Sequence, residues 1–165
     1  MSERIDSLAL DATDLRLLDL LQNDASLSNQ ALAERAHVSP ATCLRRVARL
    51  TATGAIERRV ALLSVEKLGA GLTAIVEITL DRQGAELLAA FEARVTADAS
   101  VQQCYRVSPG PDFVLVVQVA DMAGYHALVQ RLFTHDANVR NVKTFFSVHR
   151  AKFDPLIALP PPSRA

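Results

Sequence analysis

Ser39-Pro40-Ala41-Thr42-Cys43-Leu44-Arg45-Arg46-Val47-Ala48-Arg49-Leu50 decides how this chain is read. Serine is a strong helix N-cap, and proline is best tolerated at the first helical position, where the amide it lacks would have no intrahelical partner. The run therefore predicts a helix that starts at Pro40 and ends near Gly54, a residue suited to a left-handed C-terminus. At about 100° per residue, Cys43, Leu44, Val47, Leu50 and Thr51 fall on one side. Ala41, Thr42, Arg45 and Arg49 fall on the other, with Arg46 on the flank. Small residues at the leading end permit close approach, and the arginines behind them give long cationic reach.

Working backwards, Ser28 caps a second helix (SNQALAERA) with Ala31, Leu32 and Ala36 inward, and His37-Val38-Ser39 leaves room only for a tight turn. Asp11 or Thr13 caps a first helix carrying Leu17, Leu18 and Leu21, which stops at Asn23-Asp24. Two helices joined by a three-residue turn, the second one cationic, describe a helix-turn-helix. Forward of it, Ile56-Glu57-Arg58-Arg59-Val60-Ala61-Leu62 is β-prone and reads as a wing. Arginine forks onto guanine and phosphate where lysine acts as a point charge. Arg45 and Arg49 are therefore expected at guanine edges, with Thr42 beside them, and Arg46, Arg58 and Arg59 at the backbone. Ser39 either caps its own helix or contacts a phosphate. For Arg46 the competing reading is a surface ion pair with Glu57 or another acid.

Composition sets the frame. Among 165 residues, 18 Lys and Arg balance 18 Asp and Glu, which argues against a purely electrostatic nucleic-acid coat but leaves room for a local basic site. That site is visible: Arg35, Arg45, Arg46, Arg49, Arg58 and Arg59 face Glu57 alone between positions 35 and 59, whereas Glu3, Asp6, Asp11, Asp14, Asp19 and Asp24 outnumber Arg4 and Arg16 before it. Half the residues are hydrophobic and 22% are charged, enough for a core and inconsistent with a wholly disordered chain. No apolar run reaches the roughly 18–20 residues that cross a bilayer, so no membrane partner is expected. The opening MSERIDSLALDATDL is acidic and interrupted by charge, unlike a secretory signal. Cys43 and Cys104 match no zinc spacing and cannot staple a fold of this size, so a reducing cytoplasm is the expected location. The four histidines are scattered, and no nucleophile–base spacing or phosphate-cradling glycine motif occurs. No metal, cofactor or catalytic residue is expected, and an enzyme is set aside.

Beyond a connector at 63–71, the periodicity changes. Leu72, Ala74, Val76, Ile78 and Leu80 alternate with Thr73, Ile75, Glu77 and Thr79 as a strand. Next come a helix over 84–97, strands over 101–108 and 113–120, a helix capped by Asp121 with Met122, Tyr125, Leu128, Val129, Leu132 and Phe133 inward, and a last strand over 139–153. The order β-α-β-β-α-β is the ferredoxin-like arrangement. The expected class is thus α+β: a winged helix-turn-helix over 1–62, the 63–71 linker, a ferredoxin-like domain over 72–153, and a flexible tail over 154–165. Both helices lie on one face of such a sheet. Because Phe113–Val117 is apolar on both sides, the bare face calls for a second copy of the same sheet. A homodimer is expected.

The run from Leu10 to Leu63, with Ser39–Val47 as its most specific part, resembles the N-terminal domain of the Lrp/AsnC (leucine-responsive and asparagine-operon) regulators, and the resemblance continues to about Phe153. It implies a double-stranded DNA partner, assembly of dimers into tetramers or octamers, and control of amino-acid metabolism genes in response to a small effector such as an amino acid. In that family the effector loop carries Gly-Asp-x-Asp and then Tyr or Phe. The matching stretch here is Val107-Ser108-Pro109-Gly110-Pro111-Asp112-Phe113, where Pro109 replaces the glycine and Gly110 the first aspartate. Ser108, Gly110 and Asp112, with Thr144 on the last strand, are the effector residues the resemblance implies. Loss of one carboxylate and two amide donors keeps open the alternative of an effector-independent, architectural DNA-binding protein whose C-terminal domain only oligomerises.

Overall fold

The computed structural model describes residues 10–65, 67–69 and 71–159. Two compact units emerge, one of residues 10–62 together with 153–159, the other of 63–152.

The first unit holds α1 (Ala12–Asn23), α2 (Asn29–Ala36) and α3 (Pro40–Ala52). Asp11, the first of the two expected candidates, caps α1, accepting from the amides of Thr13 and Asp14, and the Asp14 carboxylate accepts from the Asp11 amide in return. Ser28 caps α2 and Ser39 caps α3, with Pro40 in its first turn. The turn between them closes through His37 in the left-handed region (φ 58°) and a Val38 amide that donates to Ala33 O at 3.0 Å. Leu17, Leu21, Leu32, Ala36, Cys43 and Leu50 form the core where the three helices meet.

Residues 56–62, expected as a wing, form no strand: no partner segment pairs with them among the described residues, and a ladder needs two members. The expected tail divides. Positions 160–165 lie outside the described residues, while 154–159 run without regular structure along α1, where Ile157 is hydrogen-bonded to Gln22.

The second unit runs β1 (Leu72–Leu80), α4 (Ala85–Thr96), β2 (Val101–Arg106), β3 (Phe113–Val119), α5 (Met122–Val129) and β4 (Val139–Phe146), with α5 continued by a π-helical turn over Gln130–Thr134. The sheet is antiparallel in the order β2-β3-β1-β4, the ferredoxin-like arrangement. Gly71 makes the start of β1 possible. Its φ is +75°, and a Cβ there would lie 1.8 Å from Val119 O, so only glycine fits beside the end of β3.

Ala74, Val76, Ile78 and Leu80 from β1 and Phe113, Leu115 and Val117 from β3 face the helices and are buried. The Phe91 ring of α4 packs 4.8 Å from that of Phe113. On the opposite face, Ile75 (41% exposed), Tyr105 (53%) and Phe145 (44%) stand open, with Val114 and Val116 between them in register. Met122, expected inward on α5, is exposed, because the helix turns Tyr125 and Leu128 to the core instead. The last strand stops well short of 153: the Ser147 amide donates to Thr73 O, and only Leu72 remains on β1 before that residue, so positions 149–153 run past the end of the strand they would pair with.

Candidate nucleic-acid interface

The outer surface of α3 is a stripe of Ala41, Leu44, Arg45, Ala48 and Arg49, all exposed, at the i, i+3, i+4, i+7, i+8 spacing of one helical face. Its leading end is held by Ser39, whose hydroxyl accepts from the Thr42 amide at 3.2 Å and donates to the Thr42 hydroxyl at 2.9 Å. Arg45 is exposed and makes no ion pair among the described residues; Arg58 and Arg59 are exposed likewise.

Arg46 and Arg49 differ. Arg46 Nη1 donates to Asp14 Oδ1 at 2.9 Å and to Asp11 Oδ2 at 2.7 Å, and Arg49 Nη2 donates to Asp14 Oδ2 at 2.5 Å. Asp14 is 1% exposed, the one buried charged side chain among the described residues. Burial opposes its ionisation, yet the hydrogen bonds from Arg49, Arg46 and the Asp11 amide together outweigh that cost, and its pKa lies below the ordinary carboxylate value. Asp11 is likewise held low, by the Asp14 amide first and Arg46 second. Arg46 is pushed above its ordinary value, by Asp11 and then Asp14.

These contacts rotate α3 relative to the expected arrangement. Leu44, expected inside, is 62% exposed, and Arg46, expected on the flank, turns inward with its side chain only 25% exposed. The apolar periodicity alone placed the buried face too near Leu44; the carboxylate of Asp14 on α1 draws in the Arg46 side instead. The ion pair expected for Arg46 as the competing reading is present, with Asp11 and Asp14 rather than Glu57. Arg49, expected at a guanine edge, is shared with Asp14. Leu44 escaped the sequence reading because its spacing, three residues before Val47, aligns it with the apolar side of the helix.

In the second unit, two of the four residues expected to hold an effector, Asp112 and Thr144, are already engaged. Asp112 Oδ2 accepts from the Leu80 amide at 2.7 Å, its own amide donates to Ile78 O at 2.8 Å, and its carbonyl accepts from Val107 at 3.1 Å. These bonds close the 107–112 loop, where Ser108 and Gly110 are exposed and Gly110 has φ +125°. The Thr144 hydroxyl is hydrogen-bonded to the Tyr125 hydroxyl, and the Phe146 ring meets the Tyr125 ring edge-on, with centroids 5.0 Å apart. Ser108, Gly110 and Asp112 thus share one loop at the start of β3, while Thr144 sits with α5. Cys43 is buried and Cys104 half-buried, and burial pushes both thiols above their ordinary value. Among the described residues no helix is long and apolar enough to cross a membrane.

A trihelical unit with a proline-started, arginine-bearing third helix, joined to an α/β sheet domain, defines a helix-turn-helix transcriptional regulator. The AsnC-type helix-turn-helix domain matches residues 10–51, and the Lrp/AsnC ligand binding domain matches 73–157. The chain is 38% identical to the leucine-responsive regulatory protein of Haemophilus influenzae over 87% of each. An AsnC family transcriptional regulator from Agrobacterium tumefaciens superposes with a TM-score of 0.82 at 31% identity, over 90% of this chain and 97% of that one. A Neisseria meningitidis transcriptional regulator, solved as a complex with L-Met, does so at 0.81 and 28% identity, over 90% and 96%. The chain belongs to the Lrp/AsnC family of transcriptional regulators.

Proposed function

We propose that this regulator reads duplex DNA with the outer stripe of α3 and controls amino-acid metabolism genes in response to a small effector such as an amino acid. The observation that carries the DNA reading is the exposed face Ala41-Leu44-Arg45-Ala48 behind the Ser39 cap, small at its tip and cationic at its middle. Arg45 reaches base edges, with Thr42 and Leu44 beside it, Leu44 against a thymine methyl. Ser39, Arg58 and Arg59 contact phosphates; Arg46 and Arg49 reach the backbone only by giving up their bonds to Asp14. Two copies pair through the open sheet face around Ile75, Val116 and Phe145, and paired copies bring two α3 helices to one duplex.

The test is a binding series on promoter fragments. Arg45→Ala relaxes sequence preference, by about 1–3 kcal/mol at the base it contacts, whereas Arg58→Ala weakens all duplexes alike. Wild-type affinity for both variants would overturn the assignment. Light scattering that returns a 17.9 kDa particle at micromolar concentration would overturn the pairing.

The effector reading draws support from the L-Met complex of the Neisseria relative. One observation favours the second reading, a C-terminal domain that only assembles: Asp112 and Thr144 already spend hydrogen bonds on Leu80 and Tyr125. Calorimetric titration with the common amino acids separates the two, since heat with none of them leaves assembly alone.

A further inference from the structure

Three arginines stand on α3, yet two of them are turned back onto α1. Asp14 receives Arg46 on one carboxylate oxygen and Arg49 on the other, at 2.9 and 2.5 Å, and Asp11 takes a second bond from the same Arg46 nitrogen at 2.7 Å. With Arg45 these residues enclose an open hollow of about 250 Å³. Within it two carboxylates neutralise two guanidiniums, and Arg45 remains as the uncompensated cation of the helix. Asp14 is 1% exposed, so it cannot swing away to solvent, while Arg49 is 44% exposed and sits within reach of whatever approaches α3.

We infer that Asp14 is a specificity-determining positioning residue for DNA recognition: it withholds Arg46 and Arg49 from phosphate, so that α3 meets a duplex with one free guanidinium instead of three. The physical reason is counterion release. Each cation that neutralises a phosphate adds about 0.9 to the slope of log affinity against log salt, whatever the sequence. Such contacts strengthen every site alike, so restraining two of them lowers random binding and leaves discrimination to Arg45 and its neighbours. The inference rests on the DNA-binding reading of α3.

The experiment measures the salt dependence of binding for wild type, Asp14→Asn and Asp11→Asn, on a duplex selected from a random pool by the wild-type protein and on a scrambled duplex. Asparagine keeps the shape and acceptor oxygen of either site and is itself a good N-cap, so Asp11→Asn preserves the start of α1. For Asp14→Asn the slope is expected to steepen by about one to two units. Affinity for the scrambled duplex is expected to rise roughly threefold to tenfold at low salt, with the ratio between the two duplexes falling correspondingly. Asp11→Asn steepens the slope by less, since Asp14 still holds Arg46. A merely structural role for Asp14 would lower binding to both duplexes without steepening the slope. An unchanged or shallower slope in folded Asp14→Asn overturns the inference. Should circular dichroism show that variant to be unfolded, the slope of Asp11→Asn decides by the same criterion. A wild-type protein that selects no duplex at all would instead remove the DNA-binding reading, and the inference with it.

Discussion

Gln22 and Ile157, 135 residues apart, are joined by two reciprocal hydrogen bonds: the Gln22 side-chain amide donates to Ile157 O at 3.1 Å, and the Ile157 amide donates to Gln22 Oε1 at 3.0 Å. The glutamine thus behaves like one residue of a strand partner, pinning an otherwise irregular segment to α1. Leu156 and Leu159 lie with Ala12 and Leu15 around the same groove. Replacing Gln22 by alanine removes both bonds, and the helical unit is expected to lose about 1 kcal/mol, since each exposed bond contributes modestly. Hydrogen exchange provides the direct reading: the Ile157 amide, protected in wild type, exchanges faster in Gln22→Ala, while amides of β1 and β3 do not change.

Acid should loosen the helical unit through Asp14. Its folded pKa is lowered, so its contribution to stability is fully present above the ordinary carboxylate value and is lost as pH falls through the lower folded value. Asp98 in the sheet unit obeys the same sign: burial opposes its charge, but the Ser100 amide and Arg131 outweigh it. Denaturant titrations are therefore expected to show stability flat near neutrality and declining below about pH 4. Asp14→Asn should flatten that decline for the helical unit, and an equal decline in the variant would show that other groups dominate.

Two leucines of α3, six positions apart, should separate stability from recognition. Leu50 is completely buried and Leu44 is 62% exposed. Leu50→Ala is expected to cost about 2–5 kcal/mol, the range for emptying a core site. Leu44→Ala should shift stability by no more than about 0.5 kcal/mol, as surface substitutions do. It should nevertheless weaken specific DNA binding, read by comparing melting with affinity for a selected duplex.

Asp112 offers a test of architecture against sensing. Alanine there strips the acceptor from the amide of Leu80, a buried residue, and is expected to destabilise the sheet unit by about 1–3 kcal/mol. Asparagine retains an acceptor oxygen and should cost less. If effector heat survives in Asp112→Asn but vanishes in Asp112→Ala, the residue shapes the loop and does not itself hold the ligand.

Local rules made much of this molecule legible in advance. Ser39 and Pro40 announce the start of α3 because capping is chemistry of adjacent residues, and the alternation from Leu72 to Leu80 announces β1 because the sheet has one buried face. The features that escaped prediction depend on contacts distant in sequence. The rotation that exposes Leu44 arises from carboxylates 30 or more positions earlier, since Asp14 and Arg46 are separated by 32 residues. The wing failed for the same reason: the β propensity of Ile56–Leu62 is local, but a strand exists only if another segment pairs with it. The engagement of Asp112 by the Leu80 amide was invisible too, because one backbone amide 32 residues away carries no side-chain signature.

The strap that Ile157 makes on α1 has a consequence for biosynthesis. The three helices leave the ribosome before the sheet domain and draw on contacts with near neighbours, but the groove beside Gln22 waits until every strand of the sheet domain has been translated. The DNA-reading half is thus begun early and finished late. A nascent chain interrupted anywhere within the sheet domain would release a helix bundle that lacks its final tether, making its completeness a record of whether the other half was made.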